Sequence, residues 1–509
     1  MAKTKKYSSI FPLFFIISLF LPNLAQAQLM NHYWSQSYNS ISTLLSGAVV
    51  GGDAGNAAIY YNPSGIVDLE EGNNISVAAS IFTLSTYSFR GIMGDGKHIS
   101  STNLYVQPQF FSYGVKSPFR KWSFELAVFN RIRDNLTLGF VESQDFRLNP
   151  QENSIGRLST VYDYENYYSD DWVGLGGGYK YSDNLYLGFS VNVSFSTFKY
   201  SNSINATVYP IVSDTISGKP NTSILAVNEY KESIDFTDIR IVAKMGATYK
   251  LDAWSVGLNV TLPALKLFSV GKKASRSVLE GYSHEFDIDS NLTDYYIFDS
   301  QKDKQLTTDF KLPFSIALGA VVKLQNNKKL YLTAEYFASL KSYKIVDAQL
   351  NSGITTDVIY DRLENKDWLT FMNEVRPVFN IAFGYQWQIK TNVLFLMGLR
   401  TDFNSLKNDI AYGYADVPGI YSTNINIYHA TAGVKFTYKK HQLIAGTQFS
   451  FGRQANAPQI ANFKSKDDFF TSGNELPLLG IPDNSANISQ FSVSLFLGAT
   501  LNFSGSDRK

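Results

Sequence analysis

The 509-residue chain contains no cysteine, so it has neither disulfides nor thiolate chemistry. After residue 27 it has no apolar run approaching the ~18 residues that a spanning helix requires. It lacks any long block of one charge: the net charge is +1, falling to about −2 once Lys3, Lys5 and Lys6 are set aside. That balance argues against nucleic acid as a partner. Histidine is scarce, and none of His32, His98, His284, His429 and His441 pairs at metal-ligand spacing. No catalytic constellation emerges: His429 has no nucleophile identifiable from sequence, and an outer-membrane lipase or protease has little to support it. The glycine run at 174–180 ("GLGGGYK") lacks the lysine-serine ending of a phosphate loop and alternates like a strand. The stretch beginning at Asp287, Asp289 and Asn291 opens like a calcium loop but lacks the sixth-position glycine and the twelfth-position glutamate. No metal, no cofactor and no enzymatic activity are expected.

Aromatic residues are abundant instead. The chain carries 32 Tyr and 37 Phe, and aromatics make up 15% of it against 17% charged residues. Residues 1–27 read as a signal peptide, with the three lysines, an apolar run over 10–21 and the small-x-small pattern Ala25-Gln26-Ala27. An exported, aromatic-rich chain without spanning helices points to a β-barrel of the outer membrane.

The strand pattern supports this. In "QFSVSLFLGATLNF", Phe491, Val493, Leu495, Leu497, Ala499, Leu501 and Phe503 alternate with polar or small residues. The same period recurs in "NLYLGFSVNVSFSTF", "AWSVGLNVTLP" and "VFNIAFGYQWQ". Such runs suit lipid-facing strands of ~9–11 residues rather than the ~5–6 usual in soluble sheets. Short polar turns lie near 117–121, 181–184, 250–252, 325–328, 389–391 and 439–441. Longer polar stretches lie near 91–100, 143–165, 202–233, 274–305, 345–366, 405–420 and 455–485. Six short turns and seven longer loops predict an all-β fold: a transmembrane antiparallel barrel of about 14 strands over 73–503, with short turns on the periplasmic side and a short tail at 504–509.

Residues 28–72 precede the first strand and are glycine-rich and polar. They are expected to fold inward as a hatch that plugs the lumen. Gly174, Gly176 and Gly178 share an inward face that would admit a close-packed segment, or would merely let the wall bend.

Within that leading segment, "GDAGNAAIYYNPSG" resembles the hatch signature of the FadL/TodX-type outer-membrane transporters of long-chain fatty acids and other hydrophobic compounds. The matching residues are Gly52, Asp53, Ala54, Asn62, Pro63 and Ser64, with serine where the family usually has alanine. "LPFSIALGA" at 312–320 also resembles a strand of that family. The resemblance implies a fourteen-stranded barrel in the outer membrane of a Gram-negative bacterium. It implies passive uptake of a hydrophobic small molecule by capture at external loops, binding in the lumen and hatch-gated release sideways at a kink in the third strand. Here that strand is "KWSFELAVFNRIRDNLTLGF", in which Ile132, Leu136 and Leu138 continue the outward parity of Trp122, Phe124, Leu126 and Val128. Asn130 and Asp134 break it and are the candidate lateral gate, or else lie above the hydrocarbon. The candidate cations for a ligand carboxylate are Arg240, Lys244, Arg400 and Lys435, which could equally form a lumen salt-bridge network with Asp238, Glu335 and Asp402. Expected partners are membrane lipid and, during insertion, the barrel-assembly machinery, with the protein a monomer. A structural protein or adhesin and a general porin stand as alternatives.

Overall fold

The structure, a computed structural model, describes residues 31–34, 38, 40–69, 73–94, 96–115, 119, 121–147, 155–211, 215–216, 219–220, 226–280, 295–301, 306–347, 370–407, 423–463 and 478–503. The expected signal peptide at 1–27, the calcium-like stretch at Asp287 and the expected tail at 504–509 lie outside the described residues.

Fourteen antiparallel strands close into a barrel: β1 (Asn73–Arg90), β2 (His98–Val115), β3 (Trp122–Arg147), β4 (Ile155–Lys180), β5 (Leu185–Ile211), β6 (Ala226–Lys250), β7 (Trp254–Thr261), β8 (Ser315–Leu324), β9 (Lys328–Phe337), β10 (Val378–Lys390), β11 (Val393–Asp402), β12 (Asn426–Tyr438), β13 (His441–Ala457) and β14 (Ala486–Phe503). Each pairs with its neighbour in sequence, and the ring is sealed where β1 meets β14, from Asn73↔Phe503 to Arg90↔Asn487. Closure removes the unpaired edges that an open sheet would present.

The alternation read from the sequence sorts side chains to the two faces. On β14, Phe491 and Leu497 stand outward, 51% and 48% exposed, while Ser492 and Ser494 turn into the lumen. On β8, Leu318 stands outward beside the buried Ala317. The outer surface thus carries a continuous apolar band, with Trp254, Trp387 and Tyr438 exposed near its lower rim.

Two expectations need correction. The polar stretches at 143–165 and 202–233 are largely strand rather than loop: β3 runs to Arg147, β4 starts at Ile155, β5 runs to Ile211 and β6 starts at Ala226. Alternation there is inverted: apolar residues such as Leu158, Tyr162, Ile204 and Tyr230 turn inward and polar ones outward, so the stretches lack a lipid-facing apolar row. Further hairpins are built by strand Leu265–Glu280 with Tyr295–Gln301, and by Leu340–Asp347 with Thr370–Val375.

The second correction concerns β3. Its pairing with β4 slips by one residue between Asn130 and Ile132, so Arg131 forms a bulge. A one-residue slip exchanges the faces of every side chain beyond it. Ile132, Leu136 and Leu138 are therefore fully or almost fully buried in the lumen instead of continuing the outward row of Leu126 and Val128.

Candidate functional site

Residues 40–69 lie inside the barrel as short turns of helix: Ser40–Leu44, Gly55–Ala57, Ala58–Tyr61 and Pro63–Asp68. Asn62 is the joint between the last two. Its backbone is extended (φ −163°, ψ 102°), as the residue before a proline favours, and Pro63 opens the final helix, where its missing N–H costs nothing. The Asn62 amide donates to the Val50 carbonyl at 2.8 Å and to the Thr248 hydroxyl on β6 at 3.1 Å. Its oxygen accepts from the Ser64 N–H at 3.2 Å and the Ser64 hydroxyl at 2.7 Å. One buried side chain thereby ties the glycine turn, the helix start and the wall together. The serine that departs from the family pattern also bonds the Thr248 hydroxyl at 2.6 Å. Ser64→Ala should weaken this joint by ~1 kcal/mol, raising amide exchange of residues 58–66 about fivefold while the barrel stays intact. An unchanged exchange rate would show that the hydroxyl contributes nothing.

The wall accommodates this segment with glycines. A Cβ on Gly178 would lie 2.8 Å from the Val67 amide nitrogen, and one on Gly176 would lie 2.5 Å from Ile66 Cδ1. At Gly174 the nearest part of the segment is Ile59 Cδ1, at 3.3 Å. Gly188 abuts the Pro63–Ser64 peptide, Gly246 abuts Asn62, Gly257 abuts the Val50 carbonyl, and Gly319 abuts Gly51. On the far side, a Cβ on Gly398 would come within 2.7 Å of the Leu45 carbonyl carbon. These residues form a belt by register: Gly178 faces Gly188, which faces Gly246; Gly257 faces Gly319; Gly384 faces Gly398; Gly433 faces Gly446. Sequence reasoning found three of them on one strand and missed the belt. The signal was present as a glycine at similar distance from the lower turn of most strands.

Asp53, held at positive φ (61°), accepts from Lys329 at 2.5 Å and from the Tyr331 hydroxyl at 2.7 Å. Burial alone would raise its pKa, but Lys329 and these hydrogen bonds outweigh burial and hold it below the ordinary aspartate value. Gly52 precedes it at φ 146°, and Ala54 is buried beside the Gly55–Ala57 turn. The upper end of the segment is tied as well. Asp402 accepts from the Trp34 amide at 3.0 Å and pairs with His32 at 3.1 Å, while Trp34 Nε1 donates to Glu335 at 2.7 Å.

The four candidate cations are not brought to one point. Arg240 is neutralised: Asp238 lies at 3.1 Å and Asp170 at 3.8 Å, its guanidinium also bonds Ser194 and Ser196, and it stacks 4.7 Å over Phe310. Arg131, which sequence reasoning missed, shares Asp170 with it. Arg400 is buried on β11 and donates to Gln448 at 3.2 Å. Lys435 sits lower on β12, opposite Leu394 and Ile444, and is half-buried. Lys244 differs. It is 5% exposed, its ammonium stands 4.0 Å over the Tyr60 ring, and it makes no ion pair or hydrogen bond among the described residues. Nearby, Trp172 Nε1 and Arg131 Nη2 are buried donors without a hydrogen-bond partner. His429, for which sequence offered no partner, bonds Ser450 at 2.7 Å, both buried in the wall.

Above this floor the wall is broken. β2 and β3 pair from Val115↔Phe124 to Phe110↔Phe129 and then part, β2 staying with β1 and β3 with β4. The outward apolar residues of β2 run from Val115 to Leu104, so the ladder stops about halfway up the band. A Lys97–Glu142 ion pair at 2.5 Å spans the top of the gap. Aromatic rings line its inner mouth: Tyr38 packs at a tilt against Tyr60 at 4.3 Å and Phe129 at 5.1 Å, and Trp172 lies 5.9 Å from Tyr60. The Tyr38 hydroxyl donates to the carbonyl of the bulged Arg131 at 2.8 Å. Asn130 sits at the gap, buried but on the outward face of β3, donating to Asp171 on the outward row of β4 at 2.6 Å. Asp134 follows in the same strand, its side chain outside what is described.

No protein-family model matches the sequence, and no curated protein does. Among solved structures, the chain is similar to a FadL homologue from Pseudomonas aeruginosa (TM-score 0.54, 11% identity, 93% of this chain and 100% of that one). It is similar to the toluene transporter TodX from P. putida (TM-score 0.54, 12% identity, 92% and 99%). It also resembles the monoaromatic hydrocarbon channel CymD (TM-score 0.51, 11% identity, 91% and 97%). At such identities the likeness is one of architecture: this chain has the FadL-type fold.

Proposed function

We propose that this protein is an outer-membrane channel for passive uptake of hydrophobic molecules, long-chain fatty acids first among them. The observation that carries the reading is the β2–β3 ladder, which stops halfway up the apolar band beside an aromatic floor. Backbone at that depth is tolerated without strand partners where it borders a cavity or a ligand path. The neighbours' printed names, a FadL homologue and channels for toluene and monoaromatic hydrocarbons, support the same class of cargo.

In this reading the ligand is captured at the outer end and settles on the floor of Tyr38, Tyr60 and Trp172. Lys244 receives its carboxylate, with the free donors of Arg131 and Trp172 at hand. Residues 40–69 act as the hatch: they shift, and the ligand leaves sideways at Asn130 into the lipid. No energy source enters, since the cargo moves down its gradient. The closed ring leaves no edge that would need a second copy, and the barrel is inserted by the barrel-assembly machinery as a monomer. A general porin is disfavoured by the buried ties of Asn62 and the glycine belt, which leave the lumen stoppered.

Deletion of the protein should abolish growth on oleate and leave uptake of small sugars unchanged. Liposome swelling with small polar solutes would favour the porin, and surface adhesion without uptake would favour the adhesin. Lys244→Met should lower oleate uptake about tenfold, the equivalent of one lost charge-assisted contact of about 1.4 kcal/mol, and leave toluene uptake within twofold. Equal loss for both cargoes would remove Lys244 from carboxylate recognition.

A further inference from the structure

The wall has a second discontinuity, on another side of the barrel. β6 pairs with β7 from Lys250↔Ser255 to Lys244↔Thr261. The chain then breaks at Leu262-Pro263-Ala264, where proline cannot donate, and resumes against β6 as strand Leu265–Glu280, with Leu265 opposite Ile241. The other neighbour of β7 does not follow. The β7–β8 ladder ends at Thr261↔Ser315, and the segment 306–314 leading into β8 turns instead to the Leu340–Asp347 strand, with the Asp309 amide on the Ile345 carbonyl at 3.0 Å.

A slit therefore lies between residues 265–270 and 309–314. Backbone pairing resumes above it at Gly271↔Leu306, with reciprocal bonds of 2.7 and 2.6 Å. Within the slit, side chains lace the wall: Lys266 and the Ser269 hydroxyl each reach the Thr308 carbonyl at 2.8 Å. Its outer lip is apolar and open, with Leu265 67%, Leu267 57% and Phe268 54% exposed. Leu267 is the extra residue of a bulge, so it has no partner on β6. Its inner mouth is filled by one ring. Phe310 is 3% exposed, held under Arg240 and against Tyr168 and Phe236 at 5.9 and 6.1 Å.

Height gives the slit its meaning. Leu265 and Phe268 face Ile241 and Ile239, the uppermost outward apolar residues of β6, below which the band continues through Met245 to Tyr249. The slit thus opens at the upper end of the outward apolar row of β6. An apolar solute dissolved in the outer leaflet meets the slit at that level.

We infer that this slit is a lateral inlet, through which apolar molecules pass from the outer leaflet into the upper lumen past Phe310. The inference rests on the transport reading, but its first test does not. The chain has no cysteine, so single introduced thiols report unambiguously. In proteoliposomes, Phe310→Cys should react with a bilayer-dissolved pyrene maleimide at least tenfold faster than Ala317→Cys, which faces the lumen behind an unbroken ladder. Ser269→Cys at the lip gives the same comparison should Phe310→Cys fail to assemble. Equal rates would overturn the inlet whether or not the protein transports anything. In cells, a disulfide between Ser269→Cys and Thr308→Cys should cut oleate uptake severalfold, reversibly with reductant, and one between Gln109→Cys and Asn130→Cys should abolish it. Full uptake with the slit verifiably cross-linked would also refute the inlet. Uptake no better in wild-type cells than in the deletion strain would sink the transport reading alone.

Discussion

Gly257→Val is expected to turn a stoppered barrel into a leaking one. The Val50 carbonyl and the Asn62 amide occupy the space where a side chain at this position would grow, the amide nitrogen lying 2.8 Å from the Cβ position. The β7 backbone cannot retreat, because it is laddered on both sides, to β6 and to β8. The plug is held by fewer and more local contacts, so it yields. Overpacking of a fitted contact costs roughly 1–3 kcal/mol, and here the methyls also strip the carbonyl of its buried bond from Asn62. The expected result is swelling of reconstituted liposomes in small sugars about tenfold faster than wild type, with heat-modifiable mobility retained. A variant that folds and stays as tight as wild type would mean that residues 40–69 do not stopper the lumen.

The second large effect is expected from deleting Arg131. The bulge is one residue, and removing it allows β3 to pair through without a slip. Ile132, Leu136 and Leu138 would keep their inward places opposite Asp170, Asn166 and Tyr164, and the carbonyl that accepts from Tyr38 would be gone. Straightening should draw β3 toward β2 and narrow the gap, reducing uptake of apolar cargo by at least tenfold. Arg131→Ala is the control. It removes the cation beside Asp170 but keeps the extra backbone residue, so the gap should persist and uptake should fall far less. If the two variants transport alike, the bulge has no part in the path.

These two sites also mark where the sequence could and could not be read. Outward alternation on strands such as β14 needs no partner to be seen, because lipid is the same on every side, and the count of strands came from the short turns and longer loops between them. The short signature around Asn62 was equally visible, since its turn chemistry is local. The bulge was not. It adds no unusual residue, and Ile132, Leu136 and Leu138 are as apolar as an outward row requires. Their inward placement depends on a slip against β4 that one strand cannot reveal. The cations illustrate the same limit. Arg240, Lys244, Arg400 and Lys435 share inward parity, but what each one pairs with depends on neighbours as remote as Asp170 for Arg240 and Gln448 for Arg400. The unpaired state of Lys244 is a property of the assembled lumen. The upper parts of β3 to β6 were misjudged as loops because their outward face is polar and their apolar residues, such as Leu158, Tyr162, Ile204 and Ile234, turn inward.

The chain's first strand and its last are the pair that seals the ring, and the segment inside it comes before both. Biogenesis is constrained by that connectivity. The plug is tied to strands around the whole ring, through Asn56 to β1 and β2, through Asn62 to β6, through Gly257 and Gly319 to β7 and β8, and through the Leu44 carbonyl to Thr431 on β12. The sheet must therefore curl around a plug already seated on it, with the β1–β14 edge zipping last. The stopper serves as the mandrel on which the cylinder is rolled, and a nascent chain lacking it would be expected to stall as an open, protease-sensitive sheet.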